Sequence, residues 1–173
     1  DVSSLGLLLT ADELVIVSRD DVDMSSASGR LVARVRTPVD AMLGLLSRTI
    51  QHYQDHLKII KVIARDVQQK ISLSMENEYL LQMFDLSESL VYYTSAINGN
   101  GVVLSRLRHH MEREYFAPEI LEYVEDLIIE NNQCYKQAEI YSTIFSGLMD
   151  ARGTLVNNNM NLLLKKLTVI NVV

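Results

Sequence analysis

The stretch Pro118-Glu-Ile-Leu-Glu-Tyr-Val-Glu-Asp-Leu-Ile-Ile-Glu130 opens a run to Val173 that decides how the chain is read. Within that run the only proline stands first, and the only glycines are Gly147 and Gly153. Proline suits the first position of a helix and breaks its interior, so the pattern predicts one helix of roughly fifty-five residues, about 80 Å long. Its first half is acidic and amphipathic. From Gly153 to Leu164 it carries no charge; then come Lys165 and Lys166, and an uncharged run from Leu167 to Val173. A helix that sheds charge, shows two lysines and turns apolar reads as one approaching a membrane. Ile120, Val124, Leu127, Tyr135, Ala138, Tyr141, Phe145 and Leu148 recur mainly three and four apart, followed by Leu155, Leu163, Leu167 and Ile170. That is a seam that wants a partner. The run Asn157-Asn-Asn-Met-Asn161 interrupts it, and asparagine is a poor helix former and a poor core filler. Such residues either face solvent or ring a wet axis in a symmetric oligomer.

Upstream, Leu5-Gly-Leu-Leu-Leu9 and Leu14-Val-Ile-Val17, joined across Ala11-Asp-Glu13, read as a β-hairpin. Both runs are nearly continuous in hydrophobicity, so both faces are expected to be covered, and a lone hairpin is marginal in water. The hairpin therefore reads as the remnant of an α/β domain; the alternative is that it simply packs on the helices that follow. Asp20 to Gly29 is a polar loop; its aspartates lack the glycine and distal glutamate of a calcium loop. Thr37-Pro38-Val39-Asp40 is a helix start. Met42, Leu45, Leu46, Ile50, Tyr53, Leu57, Ile60, Ile63, Ala64, Val67 and Ile71 carry the helix to about Met75. A second helix is expected from about Glu78 to Ile97, antiparallel to the first. Asn98-Gly-Asn-Gly101 reads as a turn, Val102 to about Met111 as a third, short helix, and Glu112 to Ala117 as a second break. The expected fold class is α+β, mainly α. It comprises a small N-terminal β-hairpin, an antiparallel helical hairpin and a very long C-terminal stalk helix. The expected divisions are a partial α/β unit at 1–30, the helical hairpin region at 31–117 and the stalk at 118–173.

The 173 residues make one domain's worth of chain or part of a larger one, and 48% hydrophobic content is ample for a core. A net charge of −6 argues against a nucleic-acid partner. The single cysteine, Cys134, excludes an internal disulfide and fits a reducing compartment. No secretory signal is visible at the N-terminus. No apolar stretch reaches the roughly 20 residues of a membrane span, and the chain ends where one would begin, so Val173 is expected to be a cut.

No nucleophile elbow, phosphate-binding glycine loop, Cys-x-x-Cys or His-Glu-x-x-His is present, so an enzyme is not expected. Cys134 reads as a packing residue. His52-Tyr-Gln-Asp-His56 sets two imidazoles a helical turn apart beside Asp55, a workable zinc face without a third and fourth ligand. His109 and His110 fall on different sides of a helix and do not share an ion.

The segment Tyr141-Ser-Thr-Ile-Phe-Ser-Gly-Leu-Met-Asp150, followed by Asn157-Asn-Asn-Met-Asn-Leu-Leu-Leu-Lys-Lys-Leu-Thr-Val-Ile170, resembles the CorA family of divalent-cation transport proteins. Family members carry Ser-Gly-Leu-x-Asp in a stalk helix, then an Asn-containing run leading into Lys-x-Leu-Thr-x-Ile at the first transmembrane helix. The hairpin and paired helices fall where the family has its last cytoplasmic strands and two drooping helices. The resemblance implies the cytoplasmic part of a homopentameric channel or transporter in the cell (inner) membrane. It implies Mg²⁺ or a related divalent cation as cargo, with Zn²⁺ the cargo of one branch, and gating by intracellular cation. It implies a pore lined by Asn161 and constricted at Leu164 and Leu167, where dewetting can gate conduction. Asp126 matches the stalk aspartate that holds a regulatory Mg²⁺ between subunits in some members; its partner would lie upstream of Asp1. The family's Gly-Met-Asn signature would follow Val173. The helices from Pro38 to Ile97 carry Lys58, Lys61, Arg65 and Lys70 and are less acidic than the family's usual rim. The alternative class is a soluble helical oligomerisation scaffold with no transport role.

Overall fold

The computed structural model describes the backbone of residues 3–19, 36–73 and 77–171, and the side chains of 3–19, 36–69 and 81–150. The elements are β1 (Leu5–Leu9), β2 (Leu14–Ser18), α1 (Pro38–Leu73), α2 (Asn77–Arg113) and α3 (Pro118–Asn171). The loop expected over Asp20 to Gly29 lies outside the described residues.

β1 and β2 form an antiparallel pair with Leu9 opposite Leu14, Leu7 opposite Ile16 and Leu5 opposite Ser18. Thr10 and Glu13 close the turn: the Thr10 amide donates to the Glu13 carbonyl (2.9 Å), and the Glu13 amide donates to the Thr10 hydroxyl (3.1 Å). The pleat then sorts the apolar run into two faces. Leu7, Leu9 and Leu14 pack against the helical core, and the hairpin lies on α1. Leu8, Val15 and Val17 on the other face are exposed. The expectation that both faces are covered is therefore met on one face among the described residues.

α1 starts at a reciprocal cap. The Asp40 amide donates to the Thr37 hydroxyl (3.1 Å), and the Asp40 carboxylate accepts from the amides of Thr37 (3.0 Å) and Arg36 (3.1 Å). The Arg36 amide, then the Thr37 hydroxyl, hold the Asp40 carboxyl below its usual value.

The three helices share one packing rule. On α1, Leu43, Leu46, Ile50, Tyr53, Leu57, Ile60, Ala64 and Val67 face inward at alternating steps of three and four. On α2, Met83, Leu90, Ile97, Leu104 and Met111 are buried every seventh residue. On α3 the buried ladder is Val124, Leu127, Asn131, Cys134, Ala138, Tyr141 and Phe145. A 3.5-residue repeat keeps a seam facing its neighbours under a left-handed supercoil. Both α1 and α2 pack on α3, α2 the more extensively. The partner that the seam wants is thus supplied by the chain itself over this length.

The expected turn at Asn98-Gly-Asn-Gly101 and the separate short helix after it do not form: α2 runs unbroken through both. Ile97 and Leu104, seven apart and buried, bridge the glycines, and seam burial outweighs local propensity. Gly101 also has a packing reason. A Cβ there would stand 3.1 Å from the Asn131 amide nitrogen, which donates to the Ile97 carbonyl at 3.0 Å. Gly99 faces open space.

The break expected over Glu112 to Ala117 is present as a Schellman cap. The Phe116 amide donates to the Met111 carbonyl (3.1 Å) and the Tyr115 amide to the Glu112 carbonyl (3.3 Å). Tyr115 takes the left-handed position, at φ 56°. Phe116 packs on the core, and Pro118 starts α3 in the reverse direction. α3 has 54 residues against 37 in α2, so it outruns its antiparallel partner by 17 residues, about 25 Å. Among the described residues no helix is long and apolar enough to cross a membrane.

Candidate functional site

The candidate residues fall at two places along α3. Asp126 is exposed in its first third, on an acidic stretch with Glu119, Glu122 and Glu125. Glu125 is tied down: its carboxylate oxygen lies 2.6 Å from Arg108 Nε of α2, and Arg108 also reaches Glu112 at 3.4 Å. Asp126 makes no such pair among the described residues. Asn161, Leu164 and Leu167 lie on the helical backbone of the overhanging end, and their side chains are outside the described residues. Asn161 is 35 residues beyond Asp126, about 50 Å along the axis, so the structure keeps these two parts of the site separate.

No group of three or more potential metal-ligating side chains occurs among the described residues. A hydrated cation at Asp126 would find a single carboxylate there, and Mg²⁺ is usually held through several retained waters. A second wall would have to come from elsewhere.

The zinc face considered at His52 and His56 resolves into packing. Their rings sit 4.1 Å apart at 47°. His56 turns to α2, where its Nδ1 meets the Tyr93 hydroxyl and its ring stacks on the Tyr93 ring at 5.8 Å. Tyr53 completes the cluster edge-on to Tyr93 at 5.3 Å. Burial, then the neighbouring His52, lowers the His56 pKa, so the neutral ring is favoured. Burial raises the Tyr93 phenol. Cys134 is buried in the seam with Sγ 3.9 Å from the Ile50 carbonyl, and burial pushes its thiol up, which suits a packing residue rather than a nucleophile.

Two features escaped the reading of the sequence. Asn131 is the one buried polar residue among those described, 1% exposed, and its Oδ1 has no hydrogen-bond partner. Beside it a groove of about 770 Å³ runs between α2 and α3, walled by Arg106, His109 and Arg113 on one side and by Asn132 and Tyr135 on the other. The spacing of Arg106, His109 and Arg113, three, four and seven apart, was visible; that a groove lay beneath them was not.

A family model described as "CorA-like Mg2+ transporter protein" matches residues 2–173. No curated protein matches the chain. Among solved structures, the chain is similar to the complete CorA magnesium transporter of Methanocaldococcus jannaschii, with a TM-score of 0.77 at 19% identity. That match covers 98% of this chain and 59% of the other, so this chain spans about three-fifths of the relative's length. The soluble domain of the same CorA is also similar, with a TM-score of 0.67 at 17% identity over 86% of this chain and 67% of that one. At such identities the structural likeness shows the fold.

Proposed function

The chain belongs to the CorA-like Mg²⁺ transporter family, and from that premise we propose that it is the cytoplasmic part of a channel or transporter moving Mg²⁺ across the cell membrane. The observation that carries this reading is the overhang of α3. The helix leaves its two partners behind and continues about 25 Å as a rod that carries the asparagine run, Lys165 and Lys166. On this reading five copies set those rods around one axis. Asn161 then contributes an amide to a polar ring, and Leu164 and Leu167 form an apolar constriction below it. A ring of amide dipoles suits a cation that keeps its hydration shell better than a tight carboxylate cage does.

The family resemblance extends the proposal to gating by intracellular cation, and the exposure of Asp126 supports it. An exposed carboxylate on an acidic face is ready to share a hydrated Mg²⁺ with a neighbouring subunit. An ion bound only in the closed, symmetric arrangement shifts the population toward it, and loss of the ion frees the stalks.

The test is uptake by cells expressing the whole protein. Isotopic Mg²⁺ should accumulate, and Asn161→Ala should alter the rate at equal expression. Uptake no higher than in empty cells would refute transport, and Zn²⁺ uptake exceeding Mg²⁺ would move the protein to the zinc-carrying branch. For the regulatory site, Asp126→Ala should weaken the protection from protease that Mg²⁺ confers. Protection identical to the parent's would remove Asp126 from that role.

A further inference from the structure

The basic groove between α2 and α3 has no part in the proposed transport path. Arg106, His109 and Arg113 lie within two turns on one side of α2, and neither arginine makes an ion pair among the described residues. No carboxylate lines this part of the groove, in a chain whose net charge is −6. The opposite wall belongs to α3, with Asn131 at its base and Tyr135 half-buried beside it. Gly101 leaves that wall open: any side chain there would close on the Asn131 amide, whose oxygen is buried and unpartnered. A buried amide oxygen without a donor is costly and therefore calls for a ligand or an ordered water.

The groove does not stop at Tyr135. Asn98 and Tyr135 also line a second hollow of about 470 Å³ together with Thr94, Ser95, Ser142 and Thr143; the Thr94 and Thr143 hydroxyls donate to the Leu90 (2.7 Å) and Glu139 (3.0 Å) carbonyls of their own helices, and their lone pairs can still accept. Glu139 stands among them. The whole is a trough with a cationic end, an amide and aromatic middle, and a hydroxyl and carboxylate end. Guanidinium groups match phosphate oxygens in a fixed fork, whereas the far end can pair only with neutral or donor groups. The C-terminal partial charge of α2 opposes an anion beside Arg113, but it decays within the last turn. Arg106 and His109, about one to two turns inside, are the better seat.

We infer that this trough binds a phosphate monoester on a hydroxylated carbon frame, with the phosphate between Arg106 and His109 and the frame running past Tyr135 toward Ser95 and Ser142. A sugar phosphate and a nucleoside monophosphate share that chemistry.

The experiment is calorimetric titration of the 173-residue chain at low salt with inorganic phosphate, ribose 5-phosphate, AMP and ribose. Both esters should bind at least about tenfold more tightly than inorganic phosphate, and ribose should not bind. The tighter ester identifies the source, AMP if Tyr135 stacks a base. Arg106→Gln with Arg113→Gln should weaken ester binding about tenfold or more, since a hydrogen bond to a charged group is worth that much. Both arginines are exposed, so the helical signal should be unchanged, and Arg65→Gln on α1 should bind as the parent does. Ser95→Leu, which blocks the hydroxyl end, should weaken the esters and leave inorganic phosphate alone. Three results overturn the inference. These are no binding of either ester, equal affinity for esters and inorganic phosphate, or a double arginine variant that dissolves self-association without changing ester binding. The last would assign the groove to a second copy of the chain.

Discussion

Gly99→Ala and Gly101→Ala place the same methyl group two residues apart in α2, and the structure predicts opposite outcomes. At Gly99 the new Cβ meets nothing within 4 Å. Only the backbone term changes, and alanine is favoured over glycine inside a helix by about 0.8–1.0 kcal/mol. Gly99→Ala should therefore raise stability by about 1 kcal/mol, or about 2–4 °C in Tm for a chain of this size. At Gly101 the Cβ arrives 3.1 Å from Asn131 Nδ2, which is held 3.0 Å from the Ile97 carbonyl. Moving that amide strands a donor in the core beside an acceptor already without a partner, at about 1–3 kcal/mol. Set against the same helix gain, Gly101→Ala should be neutral to about 2 kcal/mol destabilising. Removing the obstacle tests the cause: in an Asn131→Ala background, Gly101→Ala should recover about 1 kcal/mol. Urea unfolding followed by circular dichroism at 222 nm reads all four variants. If Gly101→Ala stabilises the parent as much as Gly99→Ala does, Asn131 is not what keeps a glycine at that position.

Tyr115→Gly relieves a left-handed backbone that costs a non-glycine residue about 1–2 kcal/mol, partly offset by the entropy of an unfolded glycine; a net gain of about 0.5–1 kcal/mol is expected in the same assay, and a loss would refute the strain. A double-mutant cycle on Arg108 and Glu125 should give a coupling of about 0.5–1 kcal/mol, because the side chains are 40% and 48% exposed, and should shrink in high salt. Zero coupling at low salt would mean that the contact holds nothing. His56 titrates below its usual 6.5 in the folded chain, so the unfolded chain binds more protons in between. Stability should be full above pH 6.5 and fall as the pH drops through the folded value; Asp55 and Asp40, also lowered, act with the same sign in the carboxylate range. His56→Gln should flatten the upper part of that profile, and an unchanged slope would place the loss elsewhere.

The helices were legible where apolar residues held their spacing. Thr37, Pro38 and Asp40 announced α1, and Pro118 announced α3, because caps are local chemistry. Asn98-Gly-Asn-Gly101 misled because a turn signal is local too, whereas the decision there belongs to Ile97, Leu104 and the opposing Asn131, thirty residues away. The same weakness hid a rung of the α3 ladder. Reading on from Leu127 skips Asn131, which looks too polar for a seam, yet it is buried four residues on and three before the buried Cys134. The seam's partner was not legible for a related reason: periodicity states that a face is covered, not by which chain. The basic groove needs α2 and α3 side by side, and no spacing within one helix contains that. Membership of the family was legible from the sequence, carried by Ser146-Gly-Leu-Met-Asp150 and the asparagine run.

The overhang of α3 has a mechanical side. Where α1 and α2 clasp the helix, interlocked heptad layers make the three one body, and the α3 backbone carries any tilt of that body onward past their ends. A tilt of about 5° at a pivot near Pro118 would sweep the far end of a rod of about 80 Å through about 7 Å. A displacement smaller than a side chain at the clasped end thus becomes, at Asn171, one wider than a dehydrated ion.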